Sequence, residues 1–239
     1  MVVETDRATT SPSSPVESRT RGPLGWFALT VIVGMQAGII FRPLGTAGET
    51  RVADWVDLLV PFAVLGTATV ILYRARANAT NWAVFATGAV AFALGHGLHL
   101  SANSISNADD FALEEADIVH LWDEIVSHYI WYTGLFIVLV AIALALRAVP
   151  LVIGPGIILA AVLVTVTLVN TYIEGGVPWL GLCFLSAGLA AGLAWRPAPA
   201  ASLLLLVSGL GLVLLIGWGI AWYIADGTLF PVFSDVGWI

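Results

Sequence analysis

An all-α, multi-pass membrane protein is the fold class that the sequence predicts, and three observations predict it. Hydrophobic residues make up 59% of the 239-residue chain, charged residues only 10%, and mean hydropathy is +0.94, far from the mixture of a soluble domain. The apolar residues gather into seven stretches, each near the roughly 20 residues with which a helix crosses about 30 Å of hydrocarbon. Little chain remains outside them, which leaves no soluble catalytic module.

Residues 1–22 are rich in Ser, Thr and Pro with almost no apolar content, so they read as a disordered cytoplasmic tail. A secretory signal peptide fits poorly, because the first apolar stretch is long, starts late and lacks a small-residue cleavage pattern behind it. The transmembrane domain, 23–225, holds the seven predicted helices: Pro23 to Phe41, Asp54 to Tyr73, Thr80 to Ala102, Ile118 to Leu146, Val149 to Thr171, Val177 to Trp195 and Ala200 to Ala225. Glycines such as Gly154, Gly156, Gly188, Gly192, Gly209 and Gly211 are suited to close helix approach. Trp82 and Trp195 at one level, with Trp55, Trp122, Trp179 and Trp222 at the other, suit interfacial belts. Residues 226–239 form an external segment whose Pro231 and three aromatics predict a fold back along the bundle.

Arginine placement orients the helices. Arg19, Arg21, Arg74, Arg76, Arg147 and Arg196 fall on alternate links, whereas the link after the third helix carries Asp109, Asp110, Glu114, Glu115 and Asp117. Basic links stay inside, which predicts a cytoplasmic N-terminus and an external C-terminus in a cell membrane. Arg42 and Arg51 are the exceptions. All nine basic residues are arginine, and without a lysine amine a retinal Schiff base is excluded. The net charge of −7 points away from nucleic acid and, with the missing lysine, towards a prokaryotic source. Cys183, alone, reads as a small buried hydrophobe.

All four histidines, His96, His99, His120 and His128, lie between positions 96 and 128 at the outer ends of the third and fourth helices. Ionisable groups at that depth are costly, so a function is the default explanation. His96 and His99 share a face about 4.5 Å apart along the axis. On the fourth helix His120, Glu124 and His128 recur every four residues, with Asp123 and Ser127 on the shoulder of that stripe. Since His120 and His128 stand about 12 Å apart, both cannot grip one ion. The expected mononuclear site is His96, His99, Glu124 and one of His120 or His128, a set suited to zinc or iron. Asp123 or Glu124 would then serve as general base for hydrolysis of a lipid or other apolar substrate among the membrane lipids. Asp54 and Asp57, one turn apart, could complete the site, although exposed helix-end carboxylates are the commoner reading, and Gln36 and Asn170 read as interhelical amides.

Seven helices with intramembrane histidines and an aspartate resemble the alkaline ceramidase and adiponectin-receptor superfamily of zinc-dependent membrane amidases. That superfamily carries a HxxxH pair on its last helix, whereas LLLLVSGLGLVLLIGWGIAWYIADG has no histidine. The resemblance therefore implies a class of chemistry and transfers no residue. Three other readings stand beside the hydrolase: haem b held by two facing histidines, a proton-coupled transporter, and a polar cluster with no cofactor.

Overall fold

The structure, a computed structural model, describes residues 15–108 and 116–238, so Asp109, Asp110, Glu114 and Glu115 lie outside the described residues. Almost everything described is helix. The order is α1 (Pro15–Met35), α2 (Ala37–Phe41), a 3₁₀ turn (Arg42–Leu44), a two-stranded hairpin of β1 (Thr46–Ala47) and β2 (Thr50–Arg51), α3 (Val52–Asp57) and α4 (Val60–Arg74). Then follow α5 (Ala79–Ala108), α6 (Ala116–His120), a π-helical turn (Leu121–Ser127), α7 (His128–Leu146), α8 (Pro155–Glu174), α9 (Pro178–Ala194) and α10 (Pro199–Asp226).

Five helical stretches are long and apolar enough to cross a membrane: Val52–Arg74, Ala79–Ile105, Asp117–Leu146, Pro155–Glu174 and Pro199–Asp226. A sixth arises if Thr20–Met35 and Ala37–Leu44, bent by 65° at Gln36, count as one span. The stretch expected as the sixth span is α9, with 17 residues. Helix α1 begins at Pro15, inside the stretch read as a tail, because adding polar turns to an established helix is cheap once it has nucleated.

Small residues set the packing. In water-free surroundings helices gain by close van der Waals contact, and the glycines supply it. Gly34 seats Val60 of α4 on α1, with a prospective Cβ only 2.7 Å from its Cγ1, and Thr30 bonds Thr67 across the same pair at 3.1 Å. Gly188 packs on Ser208, Gly192 on Leu205 and Gly211 on Leu185, which locks α9 to α10; Gly156 faces open space instead. Asn170 donates to Gln36 at 3.2 Å, joining α8 to the bend after α1 as the interhelical reading expected. Cys183 departs from its expected burial and sits exposed on α9.

The C-terminal segment does fold back on the bundle. Trp218 donates its indole N–H to the Pro231 carbonyl at 2.9 Å, and Phe233 N donates to Glu174 Oε2 at 3.3 Å. Phe230 fills the space left by Gly219, and Phe233 and Trp238 pack on Trp218.

Candidate functional site

Helices α5 and α7 pack against each other closely because three glycines withhold their Cβ atoms. One on Gly95 would strike the Trp131 backbone, one on Gly134 the Phe92 backbone, and one on Gly88 would come within 2.8 Å of Val138 N. Gly95 thus serves helix contact, whereas Gly97 on the other side of His96 meets nothing. The approach carries His96 and His99 of α5 against His128 and Trp131 of α7.

The π turn decides which carboxylate faces them. Its i→i+5 bonding adds a residue to the turn and rotates what precedes it relative to a regular helix. Asp123 and Ser127 are consequently buried at 3% and 0% exposure. Glu124, expected at the centre of the stripe, keeps 41% of its side chain exposed, and His120 is exposed too. Ser127 donates back to the Asp123 carbonyl, which holds the turn.

Three histidine–carboxylate pairs result. His96 Nε2 stands 3.2 Å from Asp57 Oδ1, with His96 only 1% exposed. His99 Nδ1 stands 2.7 Å from Asp123 Oδ1, at an angle off that of a regular hydrogen bond. His128 Nδ1 lies 3.0 Å from the Gly175 carbonyl, which accepts its N–H, and 3.5 Å from Glu124 Oε2. Trp131 joins the three: its ring centroid is 4.8 Å from that of His96, 5.1 Å from His99 and 6.3 Å from His128. Tyr132 stacks on His128 at 5.1 Å and meets Tyr172 edge-on.

The expected four-ligand set is not assembled in this arrangement. Among the described residues no three His, Cys, Asp or Glu side chains are placed to hold one metal ion. His96 is turned to Asp57, His120 is exposed, and His99 and His128, with centroids 5.0 Å apart, face Asp123 and the Gly175 carbonyl at Nδ1. What the arrangement can do is hold and transfer protons, since His96 and His128 each have a hydrogen-bond acceptor and His99 has a carboxylate beside it.

Two participants stand out beyond the expected set, Asp57, for which completing the site is the less favoured of two readings, and Trp131, which the sequence does not single out. Asp57 was expected at an exposed helix end, yet it is 9% exposed, and its neighbour Asp54 is buried against Arg51 with 2.7 Å between Oδ1 and Nη2. That pairing neutralises one of the two arginines that broke the charge pattern. Trp131 carried a usable signal, for it lies three residues after His128 and so shares its helix face. No protein-family model, curated protein or solved structure matches the chain.

Proposed function

We propose that the chain is a multi-pass cell-membrane enzyme in which the His99–Asp123 pair performs acid–base, hydrolase-type chemistry on a lipid or other apolar substrate entering from the outer leaflet. In this reading all seven apolar helices cross, the N-terminus is cytoplasmic and the C-terminus external. One observation carries the proposal: His99 Nδ1 rests 2.7 Å from the buried carboxylate of Asp123 while 17% of the histidine side chain stays accessible.

A carboxylate at Nδ1 selects the tautomer that leaves a lone pair on Nε2 and stabilises the imidazolium formed when Nε2 takes a proton. Nε2 then removes a proton from water attacking the substrate and returns it to the leaving group. Glu124, half-exposed next to Asp123, is placed to exchange protons with the membrane surface. A transport route finds less support, because the three histidine–carboxylate pairs are grouped around one stretch of α5 and the start of α7. No step is routed through zinc, iron or haem, since the donors do not converge on one ion.

The test is reconstitution into vesicles of extracted membrane lipid, with products followed by mass spectrometry. Hydrolysis should fall by about 10²–10⁴-fold in Asp123→Asn and in His99→Gln. Lack of turnover in the unaltered protein overturns the proposal. Activity that tracks one zinc or iron per chain and disappears on chelation would restore the metal centre, and a Soret band would favour haem b.

A further inference from the structure

Trp131 holds a buried hydrogen-bond donor that nothing described uses. Its side chain is 5% exposed, yet Nε1–H has no acceptor. Such a group costs about 1–3 kcal/mol when left unpaired, so its persistence calls for a partner from outside the chain. His99 Nδ1, Asp123 Oδ1 and Thr171 Oγ1 are likewise buried without a regular hydrogen bond, and the other polar groups nearby face one another. Asp57 faces His96, Asp123 faces His99, the Asp123 carbonyl accepts from Ser127, and the Gly175 carbonyl accepts from His128.

The missing partner must be an acceptor, and it must suit an indole packed between imidazoles. Trp131 lies nearly parallel to the His99 ring, 29° apart, and stands at 88° to His96. A trapped water, which needs two to four polar partners, and a carbonyl oxygen can both accept from the indole. A carbonyl oxygen needs only a donor or two. It also suits the surroundings, because an ester or amide carbonyl reaches this depth on an apolar chain without bringing a net charge.

We propose that Trp131 donates its indole N–H to the carbonyl oxygen of a membrane-soluble ester or amide seated beside His99. This rests on the acid–base reading of His99–Asp123 and adds what that reading lacks, the chemical group that the site receives. Trp131 then polarises the carbonyl and places its carbon near His99, where water activated at Nε2 attacks. The C–O or C–N bond breaks, and the proton taken from water leaves on the alcohol or amine.

The experiment uses full-length Asp123→Asn protein in nanodiscs, which binds without turnover, with ¹⁵N-labelled tryptophan. Methyl dodecanoate is titrated in parallel with dodecyl methyl ether, which has the chain but no carbonyl. One indole N–H resonance, absent from Trp131→Phe, should move downfield with the ester and stay in place with the ether. Equal response to both compounds, or to neither, overturns the proposal, the second outcome leaving a trapped water as the partner. In unaltered protein Trp131→Phe should lower turnover about 10-fold or more, while an inert but shifting protein would sink the acid–base reading and leave the carbonyl site standing.

Discussion

Asp57 and His96 are both buried, so each depends on the other for its hydrogen bond. Replacing Asp57 by Leu orphans a ring nitrogen that is buried at 1% exposure. The expected loss is about 1–3 kcal/mol, read as a lowered unfolding midpoint in detergent. Adding His96→Phe should recover most of it, because removing both partners also removes the unmet polar group. Asp226→Leu is the control: Asp226 is exposed and only accepts from Thr228 N, so its effect should stay within about 0.5 kcal/mol. If Asp57→Leu behaves like Asp226→Leu, the pair is not formed in the membrane. The histidines and acids themselves were legible in sequence. Their partners were not, since Asp57 and His96 stand 39 positions apart and only helix packing brings them together.

The α5–α7 contact makes a distinction between two glycines that look equivalent in GHGLH. A methyl group on Gly95 meets the Trp131 backbone, which cannot swing aside, whereas a methyl group on Gly97 meets open space. Gly95→Ala should therefore lower stability by about 1–3 kcal/mol through overpacking. Gly97→Ala should be neutral or raise stability slightly, as alanine favours helix over glycine. Thermal unfolding of the two variants side by side decides the matter, and equal effects would mean that the helices sit further apart. The helix at 118–146 was predicted, but its π turn was not. An assumption of 3.6 residues per turn placed Glu124 at the centre, while one residue of slippage turns Asp123 inward instead.

The molecule as a whole is an apolar helical bundle, and the proposed seven crossings put its two ends on opposite sides. With Cys183 replaced by Ala, Ser234→Cys should react with a membrane-impermeant maleimide on intact cells, and Thr80→Cys only after permeabilisation. Both positions are exposed at helix ends or beyond them. Reaction of both from the same side would mean that one helix, with the 17-residue α9 the shortest, fails to cross. The reverse pattern would invert the orientation drawn from the arginines.

Composition by itself determined the class of this protein. Runs of about 20 apolar residues have few other ways to satisfy their backbone than as membrane helices, and that constraint is local enough to read from one segment at a time. The pairing of imidazoles with carboxylates, the burial of Asp57, and the place of Trp131 among three histidines were decided only by tertiary structure. They depend on which helix faces which and on how far each is rotated, and those are set by glycine contacts and a single π turn that hydropathy does not register.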